Sequence, residues 1–168
     1  MEEKQLKEEF LSLVNQNKGI LYRISRTYGE NEADREDLFQ EILLNLWKGY
    51  PSFRNESKFS TWLYRIALNT CIGAYRKKSR GISSSSIQEK HNQIPDIPCN
   101  PDYDEECRLL YNAIRKLDKL EKAIIILYLE EKSYEEIGEI AGITANHAGV
   151  KITRIKARLR QYLNHENL

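Results

Sequence analysis

Ser133-Tyr-Glu-Glu-Ile-Gly-Glu-Ile-Ala-Gly142-Ile-Thr144-Ala-Asn-His-Ala-Gly-Val-Lys-Ile-Thr-Arg-Ile-Lys-Ala-Arg-Leu-Arg-Gln-Tyr162-Leu163 reads as two helices joined by a tight turn. Ser133 offers a hydroxyl to the backbone N–H groups of the first turn, and Glu135 and Glu136 lie at the positive end of that helix's dipole. Ile137, Ile140 and Ala141 form its apolar face. Gly142 supplies the backbone freedom for the turn, and Thr144 caps a second helix. There Ala148, Ile152, Ile155 and Leu159 recur at spacings of four, three and four, so they share one face and pack on the first helix. The pattern predicts a helix-turn-helix.

The outward side of the second helix then carries Asn146, His147, Val150, Lys151, Thr153, Arg154, Lys156, Arg158 and Arg160, and no acidic residue occurs between Glu139 and Glu166. Such a gap is the footprint of a phosphate-contacting surface. Near the start of the helix, Asn146, His147, Lys151 and Arg154 are placed to reach base edges, with Thr144 beside them; later cations such as Arg158 suit phosphates.

A second acid-free stretch runs between Glu56 and Glu89. Lys58, Arg65, Arg76, Lys77, Lys78 and Arg80 alternate there with Phe59, Trp62, Tyr64 and Tyr75. Aromatic rings beside cations suit unpaired bases better than groove edges, so this segment predicts a single-strand surface. Ser60 is expected to cap its helix, with Phe59 and Tyr64 as a staple. Leu63, Ile66, Ala67, Thr70 and Ala74 face inward and Trp62, Arg65, Asn69 and Arg76 outward. Trp62 and Tyr64 read equally well as core aromatics, and Gly73 either admits a close partner or is simply tolerated.

The rest of the chain frames these two surfaces. Its 168 residues, 40% hydrophobic and 30% charged, suit one or two small globular domains, and every long periodic pattern is helical. The formal net charge of +1 averages strongly segregated segments. The polar N-terminus lacks the apolar core of a signal peptide, and the longest apolar run, Ala123 to Leu129, is too short to span a bilayer, so a cytoplasmic protein is expected without membrane insertion. Cys71, Cys99 and Cys107 fit no zinc pattern and are expected to be unreactive, Cys71 by packing. No nucleophile, base and oxyanion-donor constellation stands out, so neither an enzyme nor a metal or cofactor site is expected.

Residues 81–104 hold four consecutive serines and three of the four prolines, which predicts a flexible linker between a helical domain at 1–80 and a second at 105–168. In the first, Leu6, Phe10, Leu13 and Val14 and then Ile20, Leu21, Ile24 and Tyr28 keep helical spacing, broken near Asn17 and Gly19. Asp34 is expected to cap a further helix, Arg35 to Gly49, whose Leu38, Phe39, Ile42, Leu43, Leu46 and Trp47 cover more than one face. A helix apolar beyond its core stripe suggests a second partner. A loop from Pro51 to Ser57 follows, with Phe53 as its one large apolar group.

Asp37-Leu-Phe-Gln-Glu41, Phe59-Ser-Thr-Trp-Leu-Tyr-Arg-Ile-Ala-Leu-Asn69 and Ser133 to Ile143, in that order, closely resemble the bacterial sigma factors of the extracytoplasmic-function type. The resemblance implies an all-α protein of two small domains, the promoter-opening region 2 and the helix-turn-helix region 4. It implies that Asp37, Gln40, Glu41, Leu44 and Trp47 meet the β′ clamp helices of core RNA polymerase, and that Leu120 to Leu129 and its surroundings meet the β flap. It further implies that Phe53, Lys58, Trp62, Arg65, Asn69, Arg76 and Lys77 bind and melt the −10 element, and that Thr144, Asn146, His147, Lys151, Arg154 and Arg158 bind the −35 element of promoter DNA. An anti-sigma factor is an expected partner, and the free chain is expected to be monomeric. The chain departs from the family where many members have an acidic residue in place of Gly73 and a valine in place of Ala148. The run from Gly149 to Lys156 is similar to a variant seen in Bacteroidetes members. Two other readings of the same residues are a duplex-binding repressor or activator and an adaptor that grips polymerase or an anti-sigma partner.

Overall fold

The computed structural model describes residues 2–79 and 104–166, with side chains for 2–74 and 105–165. Residues 81–103 of the proposed linker, Cys99 among them, therefore lie outside the description, as do the side chains of Arg76 and Lys77; the last residue assigned to the linker, Asp104, instead opens a helix. Among the described residues there are eight α-helices and no strand: α1 (Glu2–Gln16), α2 (Lys18–Tyr28), α3 (Glu32–Gly49), α4 (Phe59–Ser79), α5 (Asp104–Arg115), α6 (Lys119–Leu129), α7 (Tyr134–Ala141) and α8 (Ala145–Glu166), with a 3₁₀ turn at Tyr50–Ser52.

The break near Asn17 separates α1 from α2, as the spacing predicts; the Asn17 side chain donates to the Leu13 carbonyl. Two caps differ from expectation. Helix α3 begins at Glu32, and Asn31 is its cap, accepting from the Asp34 backbone N–H at 2.9 Å. Asp34 thus sits within the first turn, where its charge still favours the helix dipole. Likewise α4 already begins at Phe59, which leaves Ser60 inside the helix rather than at its cap.

In the first domain α2, α3 and α4 pack on one another around Leu21, Ile24, Ile42, Leu46, Leu63 and Ala67, all fully buried. Cys71 is packed there too, and burial pushes its thiol up to about 12, which makes it inert at neutral pH. In the second domain α8 lies against α5, α6 and α7, around Ile114, Ile124, Leu127, Ile137, Ile152 and Ile155.

The helix-turn-helix forms by the local chemistry that its sequence announces. Ser133 accepts from the Glu136 backbone N–H while Glu136 accepts from that of Ser133, a reciprocal capping box. The hydrogen bond from Ser133 holds the Glu136 carboxyl below the usual range. Gly142 takes a left-handed conformation, φ 73°, that ends α7. Gly138 does a job the sequence did not reveal: a Cβ there would lie 2.5 Å from the Ile143 carbonyl, so only glycine lets the turn fold back on α7.

The two domains touch. Helix α7 packs on α4 and α5 on α2. Arg23 pairs with Glu130, the Tyr28 hydroxyl donates to the Lys119 carbonyl at 2.7 Å, and Arg65 meets Glu139 at 3.2 Å. Arg115 donates to the Arg26 carbonyl, and the Lys132 and Lys122 ammonium groups lie over the rings of Tyr64 and Tyr28.

Candidate nucleic-acid interface

Helix α8 buries Ala148, Ile152, Ile155 and Leu159, which turns the opposite side outward. Thr144 accepts from the His147 backbone N–H at 3.2 Å, fixing the start of the helix. Asn146, His147, Val150, Thr153 and Arg154 are exposed and Lys151 is half-buried, so the candidate base readers stand together on the first turns. Arg158 does not join them. Its guanidinium donates to Glu121 at 2.6 Å, and Glu121, only 11% exposed, caps α6 in a box with Asp118. The helical spacing placed Arg158 on the outer side, but a carboxylate far away in sequence draws it along the flank facing α6.

Helix α4 presents a different surface. Leu63, Ala67 and Leu68 are buried, Arg65 and Asn69 exposed. The open question over the two aromatics has a split answer. Tyr64, 1% exposed, is a core residue, and burial pushes its hydroxyl well above the usual range. Trp62 is half-buried in a cluster of rings: Phe53 lies 5.0 Å from it and Phe59 5.5 Å, centroid to centroid, with Tyr50 at 6.5 Å. The Phe53 loop is thus folded against α4, and Tyr50 carries the cluster on to Phe10 of α1. The sequence marked Phe59 as one of the aromatics of this surface but not Tyr50, whose place three residues before Phe53 was the available signal. Gly73 has open space on its Cβ side, so no contact among the described residues requires glycine there.

On the far side of α3, Gln40, Leu44 and Trp47 line a groove of about 370 Å³ whose other wall is Lys7, Phe10 and Leu11 of α1. Leu44 is 57% exposed, which accounts for the over-apolar character of α3. Asp37 is exposed and Glu41 half-buried, both outside the groove lining. The contribution of α1 was not visible in sequence, because its heptad-like apolar stripe reads equally well as pure core. In the region compared with the flap, Ala123 to Leu127 are buried; Leu129 is exposed and Leu120 and Tyr128 are half-buried.

Among the described residues, no group of three or more His, Cys, Asp and Glu side chains could hold a metal ion, and no helix is long and apolar enough to cross a membrane.

Comparison with known proteins aligns with this geometry. The family model for sigma-70 region 2 matches residues 13–81, and that for sigma-70 region 4 matches residues 107–159. The chain is 30% identical to the extracytoplasmic-function RNA polymerase sigma factor SigW of Bacillus subtilis, over 93% of this chain and 89% of that protein. It is 28% identical to Bacillus subtilis SigV, over all of this chain and 99% of that protein. Against SigE of Mycolicibacterium smegmatis, 29% identical, it spans 90% of its own length but 60% of the relative's. Among solved structures, the sigma factor RpoE in complex with the anti-sigma factor NepR from Bartonella quintana superposes with a TM-score of 0.68 at 23% identity, over 96% of this chain and 98% of that one, a likeness of fold.

Proposed function

This chain belongs to the extracytoplasmic-function RNA polymerase sigma factors, and we propose that it binds core polymerase, carries it to promoters with separate −10 and −35 elements, and captures bases as the strands part. As a sigma factor it is not an enzyme; phosphodiester chemistry belongs to the polymerase. We infer that the protein acts in the cytoplasm, where its template is; among the described residues no helix is long and apolar enough to cross a membrane.

The observation that carries the reading is the pairing of two unlike acid-free surfaces, on α4 and on α8 before its terminal Glu166, in two domains. Helix α8 offers polar and cationic ends on a rigid face, with Asn146, His147, Lys151 and Arg154 on its first turns to meet base edges of the −35 duplex. Helix α4 offers rings beside cations: Trp62 and Phe53 to stack unpaired bases of the −10 element, Lys58, Arg65 and Asn69 to hold the strand. Arg76 and Lys77 extend the same segment in sequence. Arg158, tied to Glu121, serves chiefly to brace α8 on α6 and reaches at most a phosphate.

The α1/α3 groove, with Gln40, Leu44 and Trp47 on one wall, suits the apolar side of a helical partner such as the β′ clamp helices, with Asp37 and Glu41 at its margin. Leu129 and its half-buried neighbours Leu120 and Tyr128 are the part of α6 left for the β flap. The likeness to a sigma factor held by an anti-sigma factor supports a similar partner for this chain. The free chain is proposed to act as a monomer whose two domains contact each other. In vitro transcription with purified core polymerase on a promoter library tests the proposal: sequence-specific initiation is expected, and none at any promoter would overturn it.

A further inference from the structure

We infer that Val150 reads sequence, by contact with the 5-methyl group of a thymine in the −35 element; the inference rests on the seating of α8 in duplex DNA given above. The large hydrophobic residues exposed among the described residues are Leu11, Leu44, Leu129, Tyr134 and Val150. Leu11 and Leu44 line the α1/α3 groove, and Leu129 closes α6. Val150 has no such setting. It is 48% exposed on α8, and Ala148 and Ile152, two residues to either side, are buried, so its side chain leaves the domain on the face opposite the core.

A single exposed aliphatic residue is ordinary on a protein surface. The position of this one is not neutral. Asn146 stands one turn before it and Arg154 one turn after, both exposed, with His147 three residues before and Lys151 next to it. Val150 is therefore the apolar centre of a polar and cationic stripe, in the part of a capped helix that reaches base edges. Valine has no donor or acceptor, so it cannot read the hydrogen-bonding pattern of a base pair. The apolar group that the major groove presents is the thymine 5-methyl. A β-branched side chain in a helix holds one χ1 rotamer, so its methyls meet that group with little loss of freedom.

The test uses holoenzyme assembled from core polymerase and the full chain. A −35 element is first selected from a randomised duplex library. Each thymine on either strand is then replaced by deoxyuridine, which removes the methyl and keeps the hydrogen bonds. At one position the wild-type holoenzyme should bind the deoxyuridine duplex about fourfold more weakly, the factor equivalent to about 0.8 kcal/mol for one buried methyl-sized group. Val150→Ala should bind both duplexes alike, while Val150→Ile keeps the discrimination; both substitutions are on an exposed helix face and leave the fold intact. Indifference of the wild type to every replacement, or discrimination retained by Val150→Ala, would overturn the inference and leave the promoter reading standing. Failure to select any element would overturn that reading and this inference with it.

Discussion

Helices α4 and α8 are both cationic and carry no acidic residue apart from Glu166 at the very end of α8, yet they differ in what already touches them. The outer face of α8 is bare over its first turns, and its ties to the protein lie elsewhere: Thr144 at its cap and Arg158 on Glu121 at its flank. Helix α4 is engaged by its own chain. Arg65 meets Glu139 of α7, the Lys132 ammonium lies over the ring of Tyr64, and Phe53 covers Trp62. A duplex reader gains from a rigid face that needs no rearrangement, because ordering side chains costs affinity. On the proposed reading, a strand-capturing surface meets its ligand only after base pairs break, so the exposed Arg65–Glu139 pair would give way to DNA while Tyr64 stays in the core. The same chemistry thus appears once as an open template and once as a set of exchangeable contacts.

Substitutions on α8 give the largest expected contrast. Arg154→Ala should weaken −35 binding by about 1–3 kcal/mol, roughly five- to more than a hundredfold, and relax preference at one position. Titration of holoenzyme against a panel of single-base variants checks this. If Arg154→Ala instead weakens all sequences alike, it is a phosphate contact.

Burial of titratable groups in and beside the first domain predicts an alkaline weakness. The Cys71 thiol is pushed up to about 12 by burial, so its contribution is fully present below the unfolded value of about 8.5 and is lost as pH rises from there towards 12. At pH 10 the loss is roughly 2 kcal/mol. Tyr28 and Tyr64, raised in the same way, add to it at higher pH; Lys122, lowered by burial, acts in the opposite direction. Urea midpoints measured between pH 8 and 10 should fall, with a shallower fall in Cys71→Ala. Equal slopes would remove Cys71 as the cause.

Arg158→Ala should separate from Arg154→Ala. Its guanidinium is 43% exposed, so solvent screening trims the pair, but Glu121 would be left nearly buried without its cation. About 1 kcal/mol of stability should go, with much less effect on base preference, read by thermal unfolding beside the same binding panel.

The contacts between domains should yield the smallest effects. Glu130→Gln should loosen the docked arrangement more than Glu139→Gln, because the Arg23 pair is better shielded than the exposed Arg65 pair, worth about 0.5 kcal/mol or less. Small-angle scattering should show a larger mean radius for Glu130→Gln. No change in either variant would mean that the aromatic and cation contacts at Tyr28 and Tyr64 suffice.

Local chemistry was legible in the sequence; long-range partnership was not. Ser133, Gly142, Thr144 and the buried spacing of Ala148, Ile152, Ile155 and Leu159 could be read because caps, turns and helical faces depend on neighbours within a few residues. The caps at Asn31 and before Phe59 were misplaced by a few residues, since several adjacent polar residues can serve. Arg158 changed company because Glu121 is 37 positions away, and Arg65 because Glu139 is 74 away. No periodicity within either helix encodes such pairings. The role of α1 was hidden for the same reason: Phe10 and Leu11 become a groove wall only when α3 stands opposite.

The central claim is that α4 captures opened DNA whereas α8 reads duplex, and permanganate reactivity of unpaired thymines tests it most directly. Holoenzyme on its own promoter should render thymines of the −10 region reactive, and Trp62→Ala should lose most of that reactivity while its footprint over the −35 element persists. Full reactivity with Trp62→Ala, or a −35 footprint lost together with the opening, would contradict the division of labour between the two helices.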